Sequence, residues 1–296
     1  MMRLSKRYGR HDRAAVDDVS FSVAPGEIVG LVGLNGAGKS STIRVAVGVS
    51  RATSGDVQVN GRSVTAEKAA ASRDLGWVPE NPIHDPNRRL EALLDYYAEM
   101  SGAPRGVDRQ PSLEEWGILR LAQRPFRTLS MGERKRFALA VAACRDPEYY
   151  LLDEVFNGLD PAGIARVREW MLRERKGGRG LLVSSHQLRE LQAMADRFVF
   201  IHEGRRIGEV AADHLPVSVQ ERLQIVFRPI DEAGLEILRK FGAIERSANG
   251  VVLSGRGFTA AAINRTLVNA GYEVERLEPT NPDLETYFLE LLRQCE

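Results

Sequence analysis

The chain has 296 residues, which is enough for one large domain and a smaller second one. Its formal net charge is +1, with 41 Lys and Arg against 40 Asp and Glu, so no global basic field argues for nucleic-acid binding. Two cysteines, Cys144 and Cys295, exclude a disulfide framework and a cysteine-based metal site, which suits a reducing compartment. No run of about 18 apolar residues predicts a membrane span, and no signal peptide is recognisable.

The first part of the chain, 1–212, alternates short apolar runs with helical patterns, which is typical of an α/β fold with a largely parallel sheet. A helix-rich insert is predicted at about 85–145. Its clearest helix carries apolar residues at i, i+3, i+4 and i+7: Leu90, Leu93, Leu94 and Tyr97. The predicted core elements are strands at 27–33, 149–154 and 180–186, a helix at 41–49, and a strand, a turn and a second strand within 198–210.

The remaining segment, 217–296, has a different pattern and predicts a small α+β domain. The order is strand, helix, strand, strand, helix, strand, which is the ferredoxin-like βαββαβ arrangement. These elements are predicted at 221–228, 232–241, 243–247, 250–254, 259–270 and 272–277. Asn249-Gly250 predicts a turn, and Asn281-Pro282 predicts the start of a last helix. This domain has no catalytic constellation, so a packing or dimer-stabilising role is favoured over ligand sensing.

The segment 33–41, GLNGAGKSS, fits the phosphate-loop pattern G-x-x-x-x-G-K-[ST] between a predicted strand and a predicted helix. Its glycines let backbone N–H groups form an anion nest, and the helix N-terminus adds a partial positive charge. Lys39 is expected to reach the β- and γ-phosphates of a nucleotide, and Ser40 to ligate Mg²⁺. The alternative is a glycine-rich turn with a solvated lysine. The candidate binding residues are Gly33, Leu34, Asn35, Gly36, Ala37, Gly38, Lys39, Ser40 and Ser41.

Two acids, Asp153 and Glu154, end a predicted buried strand. Adjacent strand residues face opposite ways, so one acid is expected to hold the magnesium water shell and the other to face the γ-phosphate. Asp153 is assigned to the metal and Glu154 to the base that deprotonates an attacking water. The alternative is a helix N-cap or a surface acid pair, which the nearby phosphate loop makes less favoured.

The stretch LSMGERKRF, 129–137, starts a predicted helix that runs to about Cys144. Ser130 and Glu133 form the S-x-x-E capping box. Gly132 in the first turn costs helix stability, so we interpret it as leaving room for a close approach. A helix N-terminus with a serine and free N–H groups is also an anion site.

Here the sequence resembles the ATP-binding subunits of ABC transporters, over about 210 residues. LSMGE stands where that family has LSGGQ, which implies that Ser130, Gly132 and Glu133 contact the γ-phosphate of ATP held by another subunit. The resemblance implies a P-loop NTPase core with a largely parallel sheet, an antiparallel N-terminal β part and the helical insert. It also implies that Tyr8 stacks on adenine, that Glu80 senses metal and γ-phosphate, that Asp160 is the acid of the loop after Glu154, and that His186 contacts the γ-phosphate.

Several positions depart from the family pattern: Glu80 and Glu133 each replace Gln, Met131 replaces Gly, and Val155 replaces Pro. Glu80 would be repelled by a polyphosphate unless Mg²⁺ lies between them. The chain begins close to Tyr8, so most of a first edge strand is expected to be missing. None of these departures removes Lys39, Asp153, Glu154 or His186, and hydrolysis is expected to survive.

The resemblance implies an ATP-hydrolysing subunit that uses ATP and Mg²⁺, closes as a homodimer or heterodimer, and drives a separate membrane permease. The tail PTNPDLETYFLELL is similar to exporter subunits, which implies export, although an importer shares the same machinery. The expected location is cytoplasmic, on the inner face of the cell membrane through the permease, without nucleic acid. The alternatives are a soluble ABC-type ATPase acting on ribosomes or DNA, and a non-hydrolytic ATP-sensing module. The transported substrate is not encoded in a recognisable motif.

Overall fold

A computed structural model describes residues 1–9, 14–102, 104–215, 221–247, 250–255, 258–279 and 284–295. It divides into two compact units, Met1–Ala212 and Asp213–Glu296. The predicted Asn249-Gly250 turn and the Asn281-Pro282 helix start include residues outside the described ranges. Within those ranges, each helix is too short or too polar to span a lipid bilayer.

The first unit contains eleven strands and seven α-helices among its described residues. The strands are β1 Met2–Lys6, β2 Val16–Val19, β3 Ile28–Val32, β4 Ser54–Asp56, β5 Gln58–Val59, β6 Arg62–Ser63, β7 Leu75–Val78, β8 Tyr149–Asp153, β9 Gly180–Ser184, β10 Arg197–His202 and β11 Arg205–Ala211. The helices are α1 Lys39–Ala46, α2 Lys68–Ala71, α3 Leu90–Met100, α4 Gln110–Glu115, α5 Met131–Ala143, α6 Pro161–Lys176 and α7 Leu188–Gln192. Short 3-10 turns occur at Ser72–Asp74, Leu119–Leu121, Phe126–Thr128 and Ala212–His214.

The central sheet has the order β11-β10-β3-β9-β8-β7, with every pair parallel except β10 and β11. All five residues of β3 and of β9 are buried, which confirms strands covered on both faces. Ser184 at the end of β9 is in register with Leu31 of β3 and Asp153 of β8. Because parallel strands end at the same edge, the segments that follow these three strands meet there.

The first strand, β1, corrects the expectation that this element is largely missing. It lies at the centre of a three-stranded antiparallel sheet of order β2-β1-β4. Leu4 is paired with Val19 and is fully buried, while Met2 pairs with Asp56. The few residues before Tyr8 are enough for a five-residue strand, because β2 and β4 pair with it on both sides. The antiparallel N-terminal β part itself is confirmed.

The helical insert carries α3, α4 and α5. Leu90, Leu93 and Leu94 of α3 are buried, as their spacing predicts. Helix α5 begins at Met131 with Ser130 as its N-cap, and the predicted capping box is present. The insert therefore presents the start of α5 as a well-defined helix N-terminus.

The second unit confirms the ferredoxin-like arrangement. Its four strands form an antiparallel sheet of order β13-β14-β12-β15. The buried side chains of β12 and β14 pack with those of α8 and α9 in one apolar core. The elements are β12 Glu221–Arg228, α8 Glu232–Arg239, β13 Ala243–Ser247, β14 Gly250–Gly255, α9 Ala260–Asn269, β15 Glu273–Pro279 and α10 Leu284–Arg293.

Candidate nucleotide-binding site

The phosphate loop connects β3 to α1 at the carboxyl edge of the central sheet. Gly38 is the N-cap of α1, with φ of 110° and no side-chain cap. A Cβ atom there would lie 2.4 Å from the carbonyl oxygen of Ala15, so only glycine fits without movement. The first N–H groups of α1 are thus available to an anion, as the sequence pattern predicts.

Lys39 is 5% exposed, and its ammonium lies within this loop. Nζ donates to the carbonyl oxygens of Gly33 at 2.7 Å and Leu34 at 3.4 Å. It also lies 3.3 Å from Oε1 of Glu154. A cavity of about 400 Å³ surrounds it and is lined by Ala15, Leu34, Asn35, Gly36, Ala37, Gly38, Lys39, Ser40, Ser41, Glu80, Glu154, Asn157 and His186.

Asp153 is buried beside the loop and is linked to two hydroxyl groups. Its Oδ1 accepts from Ser40 Oγ at 3.0 Å and from Ser184 Oγ at 2.8 Å. Its Oδ2 is buried and has no hydrogen-bond partner among the described residues. A carboxylate oxygen left without a donor, next to a serine hydroxyl, fits a Mg²⁺ ion that retains part of its water shell.

The described residues contain no group of three or more His, Cys, Asp or Glu side chains that could hold a metal by themselves. Mg²⁺ in phosphate sites is usually bound by one or two protein oxygens together with waters and substrate phosphates. Ser40 and Asp153 would therefore hold magnesium jointly with a nucleotide.

Glu154 is 5% exposed and adopts a left-handed backbone conformation, with φ of 46°. Strand β8 ends at Asp153, so the predicted alternation of the two acids does not apply at Glu154. Instead the backbone turn leaves both carboxylates beside consecutive loop residues, Ser40 for Asp153 and Lys39 for Glu154. A positive φ at a non-glycine residue costs free energy, so the contacts around Glu154 must maintain it.

His186 follows β9, and its side chain is 52% exposed. Its ring Nδ1 lies 2.9 Å from Oε2 of Glu154, and its backbone N–H donates to the same oxygen at 3.2 Å. The Glu154 carboxylate is therefore held between Lys39 on one oxygen and His186 on the other. A buried carboxylate that is oriented in this way can accept a proton from a water molecule.

Tyr8 and Glu80 line two different cavities beside the phosphate loop. Tyr8 is 40% exposed and lines a second cavity of about 440 Å³, together with His202 and Glu203. This cavity shares Ala15 and residues 34–37 with the cavity around Lys39, so the two are continuous. The aromatic side chain of Tyr8 and the phosphate loop therefore line adjoining parts of one depression.

The residues Ser130, Glu133 and Asp160 are outside the cavity that surrounds Lys39. Ser130 Oγ accepts from the Glu133 N–H at 3.3 Å, and Glu133 Oε2 accepts from the Ser130 N–H at 2.9 Å. The Ser130 N–H that donates to the Glu133 carboxylate lowers the pKa of Glu133 below its usual value. Asp160 caps α6 by accepting from the Gly163 N–H at 3.0 Å.

Gly132 makes its close approach within the chain. A Cβ atom at this position would lie 2.6 Å from the carbonyl oxygen of Gly158, in the loop that follows Glu154. The close approach that the sequence predicts at Gly132 is therefore made by the Gly158 backbone of the same chain. Gly158 was not identified from the sequence.

We expect Gly132→Ala to lower the free energy of unfolding by about 1–3 kcal/mol, because two backbone segments must separate. At an unconstrained helix position the same change would stabilise by about 1 kcal/mol. Urea unfolding compared with the wild-type protein measures the difference. A variant as stable as wild type would contradict the steric role of Gly132.

Two further residues at this edge were missed by the sequence interpretation. Ser184 donates to Asp153 and also accepts from the Glu154 N–H at 3.0 Å. Lys135 of α5 is fully buried, and burial lowers the pKa of its ammonium to about 8, against the opposing effect of Asp153, Glu80 and Glu154. The polar SSH sequence at the end of β9 could have indicated Ser184, whereas Lys135 looked like part of a solvated basic run.

A family model described as "ABC transporter" matches residues 16–157. An uncharacterized ABC transporter ATP-binding protein, YhcH of Bacillus subtilis, is 31% identical over 94% of this chain and 91% of its own length. The chain belongs to the ABC transporter ATP-binding proteins. It is the ATP-binding subunit of an ABC transporter, as the motifs imply.

Further relatives of this ABC subunit carry transport names. The daunorubicin resistance ATP-binding protein DrrA3 of Streptomyces coeruleorubidus is 30% identical over 97% of this chain and 93% of its own length. The bacitracin transport ATP-binding protein BcrA of Bacillus licheniformis is 29% identical, over 98% of this chain and 95% of its own length. A solved ATP-binding subunit of an ABC transporter is 30% identical with a TM-score of 0.67, covering 72% of this chain and 90% of that one. These matches confirm the P-loop cassette fold, and they do not favour a ribosomal or DNA role.

Proposed function

We propose that this ABC subunit hydrolyses ATP with Mg²⁺ and uses the cycle to drive export through a separate permease. The observation that carries the proposal is the buried Glu154 carboxylate, oriented by Lys39 and His186 at the mouth of the phosphate loop. Glu154 takes a proton from water while the water oxygen attacks the γ-phosphorus and ADP leaves with the electron pair of the broken P–O bond.

In this proposal the phosphates lie on the N–H groups of 33–41, with Lys39 on the β- and γ-phosphates and Tyr8 against the adenine ring. Ser40, Asp153 and Glu80 would hold a magnesium ion, which would neutralise phosphate charge beside the carboxylate at position 80. His186 orients Glu154 and reaches the γ-phosphate.

The site is completed by a second subunit. Support comes from the segment Ser130–Glu133, which forms the N-terminus of α5 but does not line the cavity of its own chain. In a two-fold dimer each such segment closes over the ATP of the other subunit, with Asp160 in the adjoining loop. The second subunit is a copy of this chain or a paralogue, and ATP binding shifts the population towards the closed pair.

The permease is proposed to dock on the helical insert and on the loop that leads into it, which carries Ile83. Ile83 is 85% exposed and Met100 is 68% exposed, which are high values for apolar side chains. The loop that carries Ile83 is anchored by the adjacent His84. The His84 Nδ1 lies 2.9 Å from the Tyr97 hydroxyl, and the His84 ring packs against Phe126. Burial lowers the pKa of His84 to about 4, so this anchor is neutral at pH 7.

Export as the direction is supported by the names of the drug-resistance and bacitracin relatives. In this proposal the chain works at the inner face of the cell membrane, held there by its permease. The second unit, 213–296, is assigned a packing or dimer-stabilising role.

Affinity capture tests the transporter role. We expect Glu154→Gln with ATP and Mg²⁺ to retain a polytopic membrane protein from detergent-solubilised native membranes, identified by mass spectrometry at a stoichiometric yield. Adding Ile83→Asp should lower that yield by at least about tenfold, because a charge is placed in an apolar contact. Val268→Asp is the matched control, since Val268 is also exposed, at 52%, but lies on α9.

Ribosomal or DNA-associated proteins without a membrane partner would contradict the transporter proposal. An equal yield of the membrane protein with and without Ile83→Asp would be consistent with the transporter role but would contradict the proposed docking surface.

A further inference from the structure

Lys135 is a fully buried cation in the second turn of α5, just after the segment Ser130–Glu133. Its ammonium is surrounded by backbone oxygens. Nζ donates to the carbonyl of Glu80 at 2.7 Å, with Pro79 and Glu154 at 3.1 Å and Asp153 at 3.4 Å. An ammonium has three N–H donors, so four acceptors must share them.

These four carbonyls belong to two segments that are otherwise separate in sequence. Pro79 and Glu80 follow β7, and Asp153 and Glu154 are at the end of β8. The strands are parallel neighbours, with Val78 opposite Leu152. Lys135 therefore joins the loop that carries Glu80 to the turn that carries Glu154.

The contact from Lys135 to the Glu154 carbonyl stabilises an unfavourable backbone conformation. Glu154 is held at φ of 46°, a conformation that costs a non-glycine residue free energy and persists only when its surroundings enforce it. The Glu154 N–H is fixed by Ser184, and the Glu154 carbonyl is fixed by Lys135. Both ends of the strained residue are thus tied down by buried side chains.

We propose that Lys135 is a positioning residue for ATP hydrolysis, which sets the Glu154 carboxylate and the Glu80 loop through their backbone carbonyls. This inference rests on the proposed function, since it acts on Glu154 as the base. Lys135 itself touches neither nucleotide nor water in this role. It also makes Ser130–Glu133 and the catalytic edge of the same chain move together, because both are attached to the start of α5.

The contrary explanation is that Lys135 only stabilises the fold. That role would change stability and nucleotide binding together. A positioning role instead changes kcat while the affinity for ATP, which depends on 33–41, stays the same. The two explanations are therefore separable by measuring kcat, ATP affinity and unfolding in the same variants.

The variants are Lys135→Met, which keeps the volume and removes all three donors, and Lys135→Gln, which restores two donors. Leu139→Val is the matched control, because Leu139 is buried on the same face one turn later and has no polar contact with the catalytic edge. Phosphate release at saturating Mg-ATP gives kcat, and fluorescence titration with a nucleotide analogue gives affinity.

We expect Lys135→Met to lower kcat by about 10- to 100-fold with affinity unchanged within about twofold, since small misplacements of a catalytic group cost rates of this size. Lys135→Gln should recover part of the loss, and Leu139→Val should stay near the wild-type kcat even where its stability falls. If Lys135→Met does not fold, the comparison of Lys135→Gln with Leu139→Val decides.

A wild-type kcat in the Lys135 variants, or a loss that follows stability equally in Leu139→Val, would overturn the positioning role alone. Absence of phosphate release from the wild-type protein would overturn the proposed function, and the role of Lys135 with it.

Discussion

Glu154→Gln is expected to lower the rate of phosphate release by about 10²–10⁴-fold, the range expected for loss of a general base. The amide keeps the size and a hydrogen bond to His186, but it cannot accept a proton from water. ATP binding should persist, because the substitution removes the carboxylate that lies 3.3 Å from Lys39 and competes with phosphate for it. Single-turnover phosphate release and equilibrium nucleotide binding, measured on the same preparation, separate these effects.

Glu148→Gln is a suitable control for the loss of one negative charge. Glu148 lies just before β8, and its side chain accepts from Asn60 at 2.8 Å, away from the cavity around Lys39. That variant should release phosphate at nearly the wild-type rate. Near-normal turnover in Glu154→Gln would remove Glu154 as the base.

Lys39→Ala is expected to raise the dissociation constant for ATP by at least about 100-fold, since removing one partner of a desolvated charge pair costs about 2–5 kcal/mol. The ammonium is nearly buried, at 5% exposure, so its interaction with phosphates is weakly screened by solvent. The loss also leaves Glu154 buried without its nearest cation, which further disfavours bound phosphate. Fluorescence titration with Mg-ATP measures the change.

The control for Lys39→Ala is Lys68→Ala, on the exposed end of α2, which should bind ATP as wild type does. Far-UV circular dichroism establishes whether both variants are folded. An unchanged affinity in a folded Lys39→Ala variant would contradict the assignment of 33–41 as the phosphate loop.

Much of the core was predictable because its signals are local. The strand, loop and helix around Lys39 follow each other within about twenty residues. The glycines between them allow the backbone to turn its N–H groups towards an anion. The capping box needs only two residues three positions apart. The βαββαβ order of the second unit could likewise be inferred from successive apolar runs, and its sheet order confirms it.

The first strand and the geometry at Glu154 were not predictable in this way. Strand β1 is polar in sequence and exists because β2 and β4 pair with it. The strand that precedes Glu154 ends one residue earlier than expected, and a left-handed turn replaces alternation. Such a turn is maintained by contacts with residues distant in sequence, so the local sequence does not predict it.

The sequence by itself determined the family and the phosphate-loop fold, and it predicted roles for Lys39, Ser40 and the two acids, because each signal depends on residue types at short spacing. Only the tertiary structure decided that Ser184 and Lys135 contact the same carboxyl edge of the central sheet. Ser184 lies 30 positions from Glu154 and Lys135 lies 55 positions from Glu80. A parallel sheet brings such distant segments together at the ends of its strands. Polar groups buried there must be hydrogen-bonded, because an unpaired buried polar group costs free energy.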